Sequence, residues 1–69
     1  MNDIALQRRK LVVPVVEVEP GDLVHYKGSA RLVTVVEHKP NISGVWIYCA
    51  GIDGFWPLDV RSKVLVMRG

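Results

Sequence analysis

The chain predicts an all-β fold in which five to six short strands curl into one small, partly open barrel. Its 69 residues are 49% hydrophobic yet only 7% aromatic, so the core is built mostly of valine, leucine and isoleucine. Residues branched at Cβ favour strands over helices. Turn signals recur about every 8–12 residues, the rhythm of an all-β sandwich or barrel. The segment Gly51-Ile52-Asp53-Gly54-Phe55-Trp56-Pro57 adds a tight turn leading into a very short strand. A chain of this length buries only ~60% of its unfolded surface. It holds one domain and lacks the residues for two stacked sheets joined by long crossovers.

Residues 1–10 have mixed polarity without a capping signal and are expected to form a flexible basic arm, leaving 11–69 as the barrel. Leu11 to Glu19 reads as a strand interrupted by Pro14, which cannot donate to a ladder and so marks an edge. Pro20-Gly21-Asp22 is a turn, followed by a strand from Leu23 to Tyr26 and a second turn at Lys27-Gly28-Ser29. A long strand from Arg31 to His38 and a loop from Lys39 to Gly44 come next. Val45 to Ala50 is a strand, Gly51 to Gly54 a turn and Phe55-Trp56 a short strand. One short 3-10 turn then precedes a last strand at Val64 to Met67.

The net charge of +2 resides in the arm, where Arg8, Arg9 and Lys10 outweigh Asp3. From Leu11 onward six basic residues face six acidic ones, so the barrel is neutral. Nucleic-acid binders draw on concentrated cationic surface, which a neutral barrel does not supply by itself. The single cysteine, Cys49, excludes an internal disulfide and reads as a small buried hydrophobe of a reducing compartment. No apolar run has the length of a membrane span, and the N-terminus lacks the apolar core of a secretory signal. A soluble cytoplasmic protein that makes no membrane contact is the expectation.

Alternation puts Val45, Ile47 and Cys49 on one face of their strand and Trp46 and Tyr48 on the other. The apolar face turns inward, so Trp46 and Tyr48, joined by Trp56 and Pro57, are expected to form an exposed platform that recognises a protein or peptide. His25, His38 and Cys49 are the candidate soft metal ligands, and none has the spacing of a zinc site, so neither metal nor cofactor is expected. A cysteine pointing into an apolar core keeps a raised pKa, and no catalytic role is assigned to the chain. The competing partner is nucleic acid, touched by Arg8, Arg9 and Lys10 with Lys27 and Arg31 nearby and aromatics to stack on bases. The valine-rich edge strand is also a surface through which two copies can pair.

An acidic turn, Leu23, Lys27-Gly28, a valine-rich strand, Trp46 with Cys49 three places on, and then Gly-x-x-Gly-aromatic-x-Pro-x-Asp resemble an SH3 domain over roughly residues 20 to 66. That resemblance implies a five-stranded barrel and would place Trp46 and Pro57 on a groove for proline-rich peptides. The first strand lacks the tyrosines usual in that family, and no tyrosine follows Pro57. His25-Tyr26-Lys27-Gly28, Val33, Val36, His38, Tyr48, Trp56 and Pro57-Leu58 also resemble a group of small bacterial SH3-like domains, which implies the fold and a bacterial or phage accessory role. Small barrels of KOW and Tudor type would fit the nucleic-acid alternative. Pro20-Gly21-Asp22-Leu23-Val24 is loosely similar to the type II dihydrofolate reductases, whose active-site Gln-Ile-Tyr run has no counterpart at Gly54-Phe55-Trp56.

Overall fold

The computed structural model describes residues 9–68, so Arg8 and the rest of the expected arm up to residue 8 lie outside the described residues. The protein is all-β. Its six strands are β1 (Arg9–Pro14), β2 (Leu23–Tyr26), β3 (Ser29–Lys39), β4 (Gly44–Cys49), β5 (Trp56–Asp59) and β6 (Lys63–Arg68). They form one antiparallel sheet in the order β1-β6-β2-β3-β4-β5, with β1 and β5 at its two open edges. No helix among the described residues is long and apolar enough to cross a membrane.

The sheet is bent into two layers because β3 changes partner along its length. Ser29 to Leu32 pair with β2, whereas Val33 to Lys39 pair with β4. At the change, Val33 lies opposite Cys49 but Val35 lies opposite Tyr48, so Thr34 is an extra residue on the β3 side. Such a bulge bends a strand and increases its twist. It also reverses the facing of the valines: Val33 is buried, Val35 is 48% exposed, and Val36 takes up the core contact instead. Both layers then enclose one core, in which Val13, Val24, Val64 and Val66 from β1, β2 and β6 meet Val33, Val45 and Ile47 from β3 and β4.

Several expected boundaries move, among them the short strand expected at Phe55-Trp56, which is β5 at Trp56–Asp59 because these residues pair with Gly44 to Ile47 of β4. β1 stops at Pro14, and Val15–Glu17 form a 3-10 turn where the strand was expected to continue to Glu19. Val15 N–H still bonds toward β6, donating to Ser62 O at 2.9 Å while its side chain enters the core, and Val18 N–H then donates to Val15 O at 3.1 Å, which closes the 3-10 turn and leads the chain off the sheet. At the other end β1 reaches back to Arg9. Arg9 and Lys10, grouped with the arm on composition, pair with Arg68 and Met67 because β6 continues opposite them. The connection from β5 to β6 is a single turn closed by Ser62 N–H donating to Asp59 O at 2.9 Å. A second 3-10 turn, Pro40–Ile42, joins β3 to β4.

Tight turns complete the meander. Lys27 and Gly28 both have positive φ, 51° and 81°, the backbone of a two-residue hairpin turn whose twist matches its flanking strands. Gly54 has φ +83° with open space where a Cβ would stand, so its glycine is required by backbone conformation and not by crowding. Gly54→Val should therefore lower stability by about 1–2 kcal/mol, the strain of a β-branched residue at positive φ. Urea unfolding measures it, and an unchanged midpoint would show that the turn is not held in this conformation.

Candidate functional site

Strand β4 is where sequence alternation converts most directly into a surface. Val45, Ile47 and Cys49 are buried while Trp46 and Tyr48 are half-buried on the outer side. Trp46 lies opposite Glu37 of β3 on one flank and Pro57 of β5 on the other, so these three side chains share the outer face. The Phe55 ring stacks on Trp46 at 4.1 Å between centroids and 12° between planes, and meets Tyr48 at 5.8 Å. Stacked aromatic pairs contribute about 0.5–1.5 kcal/mol beyond their buried area. From β3, the Lys39 ammonium sits 4.6 Å from the Trp46 ring centroid.

The polar groups of this face satisfy one another. Tyr48 O–H donates to Glu37 Oε1 at 2.5 Å, and Lys39 Nζ donates to Glu37 Oε2 at 3.5 Å. The hydrogen bond from Tyr48, assisted by the Lys39 charge, holds the Glu37 carboxyl below its ordinary range despite some desolvation. The same bond raises the Tyr48 phenol above its usual value of 10.0. At neutral pH the face therefore presents rings framed by a closed Glu–Tyr–Lys network with no net charge.

Four residues were expected on this platform, and the structure unites three of them. Trp46, Tyr48 and Pro57 are together, but Trp56 is on the opposite side. It lies across from fully buried Ile47, packs against the core and meets the Tyr26 ring at 4.9 Å. Side chains alternate along β5, so with Trp56 inward its neighbours Phe55 and Pro57 turn outward. Phe55, 42% exposed, is the platform residue that sequence reasoning missed. The signal that could have found it is parity: two adjacent aromatics ahead of a strand cannot share one face.

The cations expected for nucleic acid do not converge. Arg9 and Lys10 are exposed on the β1 edge, Lys27 is at the tip of the β2–β3 hairpin with Nζ 5.4 Å from the Tyr26 ring, and Arg31 turns inward. Arg31 lies opposite Val24, and its Nε is buried with no hydrogen-bond partner. Others are engaged, Arg68 with Asp22 and Arg61 with Asp59.

Beside Tyr48 is a shallow, open groove of ≈ 410 Å³ walled by Val35, Tyr48 and Ile52, with Thr34 and Asp53 at its rim. The space behind Trp56 is ≈ 10 Å³, room for at most a water. Cys49 is 8% exposed, and burial raises its thiol pKa against a small opposing effect of Arg31. Among the described residues no three His, Cys, Asp or Glu side chains are grouped as a metal would require. No family model, characterised protein or solved structure matches the chain. The arrangement is thus a surface for contact, with apolar rings at its centre and a groove at its side.

The Tyr48–Glu37 bond fixes a pH window. Because the Glu37 pKa is lowered, the bond's contribution is present above the ordinary carboxylate range and is lost as pH falls through the lowered value. Because the Tyr48 pKa is raised, it is complete below the ordinary phenol range and is lost as pH rises through the raised value. In a Tyr26→Phe background, where Tyr48 is the remaining tyrosine, phenolate absorbance should titrate above pH 10. Glu37→Gln should bring that midpoint down, and an unmoved midpoint would show that the two groups do not share the proton.

Proposed function

We propose that the protein is a non-catalytic docking module of small-barrel, SH3-like type that binds a protein or peptide through the outer face of β4. The observation that carries this reading is the outward-facing cluster of half-buried Trp46 and Tyr48 with exposed Phe55, standing outside the buried core. Aromatic residues on a rigid strand offer large contact area at little cost in side-chain entropy and dominate recognition hot spots. The adjoining groove beside Tyr48 gives an extended segment a place to run. A reducing compartment such as the cytoplasm suits the buried free thiol of Cys49.

The test is selection of peptides from a random displayed library against the wild-type chain, followed by measured affinities. Trp46→Ala should weaken the selected peptides by roughly tenfold or more, about 1.4 kcal/mol, while the protein stays folded. Binding should respond weakly to salt, because the Glu37–Lys39 pair leaves few charges to screen. Tight, salt-sensitive binding of mixed-sequence DNA or RNA, lost on neutralising Arg8, Arg9 and Lys10, would overturn this reading in favour of nucleic acid.

A further inference from the structure

The second exposed face of the molecule is the outer side of the layer formed by β1, β6, β2 and the start of β3. Register fixes its membership. Lys10 lies opposite Met67, Met67 opposite Leu23, and Leu23 opposite Leu32, which makes one row across four strands. In the next row Val12 lies opposite Leu65. Val12 is 67% exposed, Leu32 42% and Leu65 39%, a concentration of open aliphatic surface beside the exposed imidazole of His25, which lies opposite Ala30 on the same face. Its charged positions are Lys10 at one corner and Lys63, two residues before Leu65, at another. No Asp or Glu occupies this face of the four strands.

Strand addition at the edges beside this face is interrupted at one position on each. Val15 N–H donates to Ser62 O, so by alternation Val13 and Leu11 face β6 while Pro14 and Val12 direct their backbone groups outward. On the far edge Val60 N–H donates to Ser43 O, which by the same rule turns Pro57 outward. Each open edge therefore lacks a donor where a proline stands, a device that hinders edge-to-edge pairing.

We propose that this aliphatic face docks an acidic amphipathic helix of a partner protein, independently of the aromatic face on β4. The charge pattern selects the partner: apolar residues at i, i+3, i+4 and i+7 meet Val12, Leu65 and Leu32, and flanking carboxylates meet Lys10 and Lys63. Size selects a helix over a second copy. Two rows across strands ~4.8 Å apart make a patch of roughly 20 Å by 10 Å, far below the ~800 Å² per partner of a standard interface, but a match for one helix ~10 Å across.

Two synthetic helical peptides test this, identical in their leucines and carrying either glutamates or lysines on the flanks, titrated into the isotope-labelled full chain and followed by amide shifts. The glutamate peptide should move Val12, Leu32 and Leu65 and bind roughly tenfold more tightly than the lysine peptide. Val12→Glu, at an exposed site that leaves the fold intact, should remove that preference, while Trp46→Ala should leave it unchanged. Equal affinity for both peptides, shifts confined to Trp46 and Tyr48, or no binding of either would overturn the proposal. So would amide shifts on this face that grow with protein concentration alone, which mark a second copy. Stronger Val12-dependent binding to anionic phospholipid vesicles than to the glutamate peptide would assign the face to a lipid surface instead.

Discussion

The buried carboxylate of Asp22 is the point on which the two layers depend. It is 4% exposed and receives a fork from Arg68, Nε to Oδ1 at 2.9 Å and Nη2 to Oδ2 at 2.7 Å. The Glu19 N–H also donates to Oδ2 at 3.0 Å, and Arg68 reaches on to Glu17 O at 3.1 Å. The backbone of the same turn ties to the middle of β3: Val33 N–H donates to Asp22 O and Gly21 N–H to Val33 O, both at 2.9 Å. One residue thus joins the turn after β1, the end of β6 and the corner where β3 leaves β2 for β4. A buried charge is costly unless paired and hydrogen-bonded, and here each carboxylate oxygen has a donor. The hydrogen bond to Asp22 also raises the Arg68 guanidinium pKa.

From that corner the exposed faces follow. The bulge at Thr34 turns Val35 outward beside Tyr48, and Thr34 Oγ1 donates to Tyr48 O at 3.2 Å, bracing the strand that carries the aromatic platform. The inner faces of both layers are occupied by valines and Ile47, so the rings of Trp46 and Phe55 have no place in the core and stack on each other. The other layer exposes aliphatic side chains with lysines at its corners. The same bend produces two surfaces of different chemistry, an aromatic one with its charges neutralised internally and an aliphatic one bordered by cations.

What could be read in advance was local. The alternation of Val45, Trp46, Ile47, Tyr48 and Cys49 stated which side chains enter the core, and Pro14 stated that its strand is an edge. What could not be read was register. Trp56 belongs inside because it lies opposite Ile47, a fact of pairing between strands that its neighbours in sequence do not contain. The bulge left only a faint trace in adjacent Val35 and Val36, where the alternating phase slips by one residue. Pro20-Gly21-Asp22 announced a turn, but the partner that gives Asp22 its importance is 46 residues away. Arg31 was a candidate contact for nucleic acid, and tertiary placement turned it inward.

The most direct measurement is a double-mutant cycle on Asp22 and Arg68. Asp22→Asn, Arg68→Gln and the double variant would be unfolded in urea at neutral pH. A clamp that joins the layers predicts a coupling of about 1–3 kcal/mol, the range for charge-assisted bonds and close pairs, with each single variant destabilised and the double little worse than the worse single. Additive losses, with coupling near zero, would contradict the account and show that the layers hold together on valine packing alone.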